Sequence, residues 1–135
     1  MFHLTQLVVI LAALASSTFG LLHAVDSSVA VSEATYAKAK SEGFTKAIIR
    51  GYEEACGKGG LVDPNFAISY KNARAAGITN IDAYWFPCTG AKNKCKSYAT
   101  QLSEIGAAFK ASKMDITTLW IDIENDAKFC QNVSL

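Results

Sequence analysis

The first 20 residues of this 135-residue chain contain no lysine, arginine, aspartate or glutamate. An apolar run, Leu7–Ala15, is followed there by the small and polar residues Ser16–Gly20. An apolar stretch of about 7–15 residues before small residues is typical of a cleavable signal peptide, whereas a membrane span needs about 20 apolar residues. We therefore predict a signal peptide over residues 1–20, with a buried helix or an uncleaved anchor as the alternatives, and one domain over residues 21–135.

Neither sign of charge is in large excess, since 13 basic residues face 12 acidic ones. A net charge of +1 argues against a nucleic-acid partner and against a polybasic membrane surface. Cys-x-x-Cys is absent and His23 is the only histidine after the signal peptide, which disfavours a zinc site and a nucleophile–histidine triad. The glycine-rich segment 57–60 lacks the spacing of a phosphate loop. We expect no metal and no cofactor.

The chain has four cysteines, all after the signal peptide. In a secreted protein an even number of cysteines predicts disulfides, and four cysteines allow three pairings. We favour Cys88–Cys95, which closes a short loop, and Cys56–Cys130, which would tie two loops at one end of neighbouring strands. A glycosylation sequon begins at Asn132. These features predict a secreted protein, or one in the lumen of a digestive or lysosomal compartment.

Apolar runs alternate with helical patterns along the rest of the chain. Four strands are predicted, at residues 21–26, 46–50, 78–86 and 116–124. Three helices are predicted between them, over residues 33–40, 63–77 and 96–110, with Ser32 and Asp63 as N-caps. Strands that alternate with helices indicate a parallel α/β sheet. The sheet is either an open doubly wound sheet or part of a β/α barrel, which has eight strands and about 250 residues.

Carboxylates follow two of the predicted strands at their carboxyl ends, where parallel β/α folds gather reactive groups. Asp26 ends the first strand, and Asp122 and Glu124 end the fourth. Residues two apart on a strand share a face, with Cα atoms about 6.5–7 Å apart. Trp120, deeper on that face, is expected in the interior. Two such carboxyls cannot both ionise freely in a partly dry pocket, so one should have a raised pKa.

This arrangement of acids suits the cleavage of a glycosidic bond, which needs a proton donor and a charged carboxylate. We assign Glu124 as the general acid and Asp122 as its charged neighbour. Asp26 would hold the substrate or assist the charged centre. Solvated acids at strand ends are the simpler alternative.

Aromatic side chains at the end of the third strand are candidates for sugar contacts. By alternation Tyr84 and Phe86 share one face and Trp85 takes the other. Arg50 and Tyr52, at the end of the second strand, are expected to face the same region as Tyr84 and Phe86. Large aromatic residues more often belong to a core, so burial is the alternative for Tyr84, Trp85 and Phe86. For Arg50 and Tyr52 the alternative is an exposed loop position.

Several segments, in the correct order, resemble glycoside hydrolase family 25 lysozymes, and the pattern around the third strand is similar to the secreted eukaryotic branch. The matching segments are Ala24–Ser28, Ala47–Tyr52, Asp63–Phe66, Asn72–Ile78, Tyr84–Cys88 and Trp120–Glu124. The resemblance implies a modified parallel β/α barrel, of which this chain supplies the first four β/α units. It also implies hydrolysis of the β-1,4 bond between N-acetylmuramic acid and N-acetylglucosamine in bacterial peptidoglycan. Carried over by position, Glu124 is the proton donor, and Asp26 and Asp122 are the neighbouring acids.

The chain departs from that family in its extent. Family members continue with further strands and another active-site acid, whereas this chain ends at Leu135. An open parallel edge predicts self-association. The alternative function is a non-catalytic glycan-binding protein or an inactive truncated remnant of a lysozyme. A chitinase-like barrel is disfavoured, because Thr117 and Trp120 stand where its pattern requires acids.

Overall fold

A computed structural model describes residues 22–55, 57–89 and 94–124 of the chain. Three predictions lie outside these residues: the signal peptide over 1–20, the Cys56–Cys130 pairing and the sequon at Asn132. In the described part, no helix is both long and apolar enough to cross a membrane.

All four predicted strands and all three predicted helices are present, with small differences at their ends. The order is β1 (His23–Ser27), α1 (Glu33–Ser41), β2 (Phe44–Glu53), β3 (Leu61–Val62), α2 (Phe66–Ala75), β4 (Asn80–Trp85), α3 (Tyr98–Ala111) and β5 (Leu119–Ile121). The short strand β3 was not predicted; it pairs antiparallel with the end of β2. β5 is shorter than predicted, so Asp122 and Glu124 follow the strand and do not lie within it.

One of the two predicted N-caps is confirmed at the helix N-termini. Ser32 Oγ accepts a hydrogen bond of 3.1 Å from the backbone N–H of Thr35, as expected of an N-cap. Asp63 was predicted as the N-cap of α2, but it lies three residues before Phe66 and the N-cap is Asn65. Asp63 Oδ1 instead accepts a 2.7 Å hydrogen bond from the N–H of Asn65. The helix therefore begins at Phe66, slightly later than the sequence predicts.

Four parallel strands form the sheet in the order β1-β2-β4-β5. Each new strand is added on the same side of the last, so right-handed connections place every helix on one face. A doubly wound sheet would instead reverse its strand order at some point. The parallel α/β prediction is confirmed and the order is that of a barrel wall. Within the described residues, however, the sheet is open and does not close into a barrel.

All three helices pack on one face of the sheet, which we call the helix face. The main core cluster joins strand residues to helix residues on this face: Ala47, Ile49, Ile81 and Ala83 from the sheet, and Tyr36, Phe66, Tyr70 and Ala73 from α1 and α2. Ile105 of α3 packs beside them against Tyr52 and Trp85. Full burial of each large apolar side chain stabilises the fold by about 1.5–3 kcal/mol. The opposite face, the open face, is therefore free to carry polar groups.

A β-bulge interrupts β2 near its carboxyl end. Arg50 pairs with Tyr84, but Tyr52 pairs with the next residue, Trp85, so Gly51 is the extra residue. A Cβ on Gly51 would lie 2.8 Å from the Cδ1 of Ile105, so glycine lets α3 approach the sheet closely. The bulge also changes the alternation, and Tyr52 turns to the helix face.

The loop between β4 and α3 is held by a disulfide and by a buried amide. The predicted disulfide Cys88–Cys95 is present. Gln101, which is fully buried, accepts hydrogen bonds from the Cys88 N–H (2.9 Å) and the Trp85 Nε1–H (3.3 Å). Its amide donates to the carbonyls of Cys88 (3.1 Å) and Lys96 (2.9 Å). One side chain thus joins the end of β4 to the start of α3.

We expect Gln101→Leu to lower the free energy of unfolding by about 2–4 kcal/mol, because several buried polar groups would lose their partner. Urea denaturation followed by circular dichroism measures this. Ser103→Ala, at an exposed position of the same helix, should change the stability by less than about 0.5 kcal/mol. Equal stabilities for the Leu variant and the parent would contradict a structural role for this amide.

Candidate active site

Three of the predicted acids line one depression at the carboxyl edge of the open face. Its volume is about 380 Å³, and we call it the acid depression. Its lining residues are Asp26, Ile48, Tyr84, Trp120, Ile121, Asp122 and Glu124. The structure therefore brings together the acid set, Tyr84 and Trp120, which the sequence places on one side of the sheet, and adds Ile48 and Ile121.

Strand register explains why these residues meet. Asp26 of β1 lies beside Ile48 of β2, and Tyr84 of β4 lies beside Trp120 of β5. Alternation along β5 then continues to Asp122, whose backbone N–H donates to the Trp85 carbonyl at 2.9 Å. The ladder thus extends one residue beyond β5 and fixes the backbone of Asp122 against β4.

The electrostatics of the depression centre on Asp26. Partial desolvation raises the pKa of this carboxyl although it retains solvent access, and the negative charge of Asp122 raises it further. A hydrogen bond from the Ser27 backbone acts in the opposite direction. Burial also raises the pKa of Tyr84, on which the charges of both Asp26 and Asp122 act. We predicted one carboxyl with a raised pKa and assigned it to Glu124; the structure places a raised pKa on Asp26, while Glu124 is exposed.

A second depression, of about 340 Å³, shares Ile121, Asp122 and Glu124 with the first, and we call it the aromatic depression. Its lining residues are Trp85, Phe86, Pro87, Thr89, Tyr98, Ile121, Asp122, Ile123 and Glu124. Phe86 lines this depression, whereas Tyr84 lines the acid depression, and the shared face of these two rings stays a prediction.

Arg50 is on the open face, but its guanidinium is bound to protein carboxylates. Its Nε donates to Asp63 Oδ2 at 2.6 Å, and an Nη donates to Glu53 Oε2 at 3.0 Å. Asp63 is itself almost fully buried, and its Oδ1 accepts a hydrogen bond from the N–H of Asn65, just before α2. Arg50 therefore joins the end of β2 to the start of α2, and it reaches the acid depression only through its charge near Tyr84.

Tyr52 does not face the acids, contrary to the sequence-based expectation, because the bulge at Gly51 turns it to the helix face. The ring is fully buried, and its hydroxyl donates to Glu104 Oε2 at 2.7 Å. Lys96 binds the same carboxylate through contacts of 2.8 and 2.9 Å. A glycine within a strand often marks a bulge, so Gly51 was the signal in the sequence.

A buried ion pair on the open face was missed by the sequence analysis. Lys46 Nζ lies 2.7 Å from Asp82 Oδ2, and Trp120 Nε1 donates to the same oxygen at 2.9 Å. The signal in the sequence is one charged residue of each sign within two neighbouring apolar strands, but neither strand alone gives the register that pairs them. Among the described residues, no group of three or more His, Cys, Asp or Glu side chains is arranged to hold a metal ion.

Comparison with known proteins shows similarity to lysozymes. A family model described as Lysozyme-like protein 1 matches residues 17–134. Lysozyme-like protein 5 of Caenorhabditis elegans is 41% identical over 100 residues, which are 74% of this chain and 44% of that protein. Two proteins of Dictyostelium discoideum are also similar. Probable GH family 25 lysozyme 2 is 38% identical over 74% of this chain and 43% of its own length, and Probable GH family 25 lysozyme 5 is 32% identical over 78% and 45%.

The chain spans about half the length of the curated relatives it matches. No solved structure gives a significant match.

Removal of the Tyr52 hydroxyl tests whether this residue serves the fold. Tyr52→Phe should lower the free energy of unfolding by about 1 kcal/mol at neutral pH, because a buried hydrogen bond is lost while ring packing is kept.

Lys96 and then Tyr52 hold the pKa of Glu104 below its ordinary value of 4.5. A lowered folded-state pKa contributes stability above the ordinary value, and this stability is lost as the pH falls through the lowered value. The difference between parent and variant should therefore shrink below pH 4.5.

Urea denaturation between pH 3 and pH 7 would measure both effects, at about one-unit steps across the range in which Glu titrates. Tyr98→Phe is the matched control, since Tyr98 is exposed and its ring contact with Trp85 does not need the hydroxyl. A loss of stability that is the same for both variants, or that does not depend on pH, would contradict the role given to Tyr52.

Proposed function

Because the chain belongs to the lysozyme-like family whose model matches residues 17–134, we propose that it is a muramidase. It hydrolyses the β-1,4 bond between N-acetylmuramic acid and N-acetylglucosamine in bacterial peptidoglycan. The sequence motifs resemble glycoside hydrolase family 25, and two of the similar proteins carry that family's name. The single observation that supports the proposal most is that Asp26, Asp122 and Glu124 line one depression at the carboxyl edge of the sheet.

In the proposed mechanism Glu124 is the proton donor, and Asp122 and Asp26 are the neighbouring acids. Glu124 gives its proton to the glycosidic oxygen as the bond from that oxygen to the anomeric carbon breaks. Asp122 stays ionised and stabilises the positive charge that develops on the sugar. Asp26, whose pKa is raised by desolvation and by the charge of Asp122, holds the substrate or assists the charged centre. Water then adds to the anomeric carbon and returns a proton to Glu124.

Which group first attacks the anomeric carbon follows from the family resemblance. In family 25 the N-acetyl group of the substrate can act as the nucleophile, with a carboxylate to steady it. Asp122 is our candidate for that carboxylate, because it lines both depressions and its backbone is fixed to β4. The carboxyl separation alone therefore does not decide the stereochemical outcome.

Substrate contacts are proposed in both depressions. Tyr84 contacts sugar in the acid depression, and Phe86 does so in the aromatic depression. Arg50 remains a candidate through its positive charge near Tyr84, since two of its nitrogens donate to Asp63 and Glu53. Tyr52 is not included, because it is buried on the helix face.

We further propose that the protein is secreted, or lies in a digestive or lysosomal lumen, where it breaks down bacterial walls for defence or digestion. The disulfide Cys88–Cys95 supports an oxidising compartment. The family name supports peptidoglycan as the partner.

A non-catalytic glycan-binding protein or inactive remnant is the second candidate function. The observation that favours it is that β5 is an open edge within the described residues, while Trp120, Ile121 and Ile123 are largely exposed. Self-association through this edge is the related proposal, because an unpaired parallel strand can add another strand.

Replacement of Glu124 tests the catalytic proposal. In the chain expressed from its full sequence and secreted, Glu124→Gln should reduce the release of reducing sugar from purified peptidoglycan by about 100-fold or more, the usual contribution of a general acid. Glutamine keeps the size of the side chain and removes the proton donor. Asp115→Asn is the control, since it removes an exposed carboxyl away from both depressions.

Three results are informative. Parent activity that is lost in Glu124→Gln and kept in Asp115→Asn supports the muramidase. Equal activity in the parent and the Gln variant removes Glu124 as the acid. Binding to peptidoglycan without any release of sugar, by a folded parent protein, favours the non-catalytic candidate.

A further inference from the structure

The open face carries one fully buried carboxylate that the mechanism above does not use. Asp82 lies in the middle of β4, beside Ile48 of β2, and its side chain has no solvent access. Its Oδ2 receives both the ammonium of Lys46 at 2.7 Å and the indole N–H of Trp120 at 2.9 Å. Its Oδ1 has no hydrogen-bond partner among the described residues. The three side chains come from three adjacent strands of the sheet.

The fold alone gives little reason for this arrangement. Burial of a carboxylate is costly, and a buried ion pair is often no more stabilising than apolar residues of the same size. Here the compensation is also incomplete, because both donors share one oxygen while the other oxygen is unsatisfied. The strands that carry Lys46 and Asp82 are already paired through their backbones and packed on the helix face.

Trp120 is the member of this cluster that has a surface in the acid depression. The residue is 51% exposed, so packing holds only part of its indole. A hydrogen bond to a charged acceptor is roughly twice as strong as one between neutral groups, and it is directional. The bond to Asp82 therefore fixes the orientation of a ring that would otherwise be free to change rotamer.

We propose that Asp82 is a positioning residue of the acid depression. With Lys46 balancing its charge, its carboxylate fixes the indole of Trp120 as the apolar floor on which a sugar ring of the substrate lies beside Asp122 and Glu124. Asp82 itself touches no substrate. This inference rests on the proposed function and adds to it a ring that contacts substrate and the residues that hold the ring in place.

The test uses binding of a soluble tetrasaccharide of alternating N-acetylglucosamine and N-acetylmuramic acid. All proteins carry Glu124→Gln so that the sugar is not cut during the measurement. The chain has two tryptophans, so an NMR spectrum of the indole N–H groups contains two signals, from Trp85 and Trp120. The Trp85 N–H is bonded to Gln101 on the helix face and serves as an internal control for the fold.

In the Glu124→Gln parent, the tetrasaccharide should shift the Trp120 signal. Asp82→Asn should move the Trp120 signal even without sugar, because its acceptor loses its charge. It should also weaken binding by about two- to tenfold, which corresponds to the ordering of one freed side chain on binding. Asp115→Asn, which removes an exposed carboxyl, should change neither signal and leave the affinity as it is.

A second variant guards against a folding defect. Lys46→Met with Asp82→Leu replaces the ion pair by apolar side chains of similar volume, which the fold should tolerate. This double variant should keep the Trp85 signal and show the same loss of affinity as Asp82→Asn. If both variants fail to fold, the carboxylate serves the fold and the positioning role is wrong.

Two further results would overturn the proposal while the proposed function stands. One is a parent that binds the tetrasaccharide without any shift of the Trp120 signal. The other is Asp82→Asn, or the double variant, binding as tightly as the parent. If the parent does not bind the sugar and the protein with Glu124 intact does not hydrolyse peptidoglycan, the proposed function itself fails and this inference falls with it.

Discussion

The parallel pairing of β2 with β4 is the constraint on which both faces of the sheet depend. It sets Ile48 beside Asp82 and Arg50 beside Tyr84. Because side chains alternate along a strand, a slip of one residue would move the apolar positions to the open face and the charged ones under the helices. β1 and β5 then take their register from this pair. Asp26 and Trp120 reach the same depression only because the central register is correct.

The helix face carries the apolar core that stabilises the fold, and the open face carries the polar groups of the candidate site. The helix face buries aromatic and aliphatic side chains of the three helices. The apolar core therefore does not include Asp26, Asp122 or Glu124. The open face can therefore hold groups that cost free energy, such as the buried carboxylate of Asp82 and the partly desolvated carboxyl of Asp26. Paired charges of this kind do little for stability, but they set orientations and pKa values, which a site for acid–base chemistry needs.

Local signals in the sequence were sufficient for the order of elements and for the acid set. Ser32 marked the start of α1, and the carboxylates after two apolar runs marked the carboxyl edge. The failures came from features that depend on neighbouring strands. The bulge at Gly51 is a shift in the pairing of β2 with β4, which alternation within β2 does not show, so Tyr52 was assigned to the wrong face. Likewise, Lys46 and Asp82 become partners only through a register that alternation within one strand does not reveal.

The central claim is that the sheet brings the acids of β1 and β5 into one electrostatic site. The most direct measurement is an NMR titration of the Asp26 carboxyl in the parent chain and in Asp122→Asn, with Asp115→Asn as the control for loss of an unrelated charge. The account predicts that the pKa of Asp26 lies above its ordinary value of 3.8, and that it falls when Asp122 is neutralised, because part of the rise comes from that charge. An ordinary pKa for Asp26 that does not respond to Asp122→Asn would contradict the account, since the two carboxyls would then not share a site.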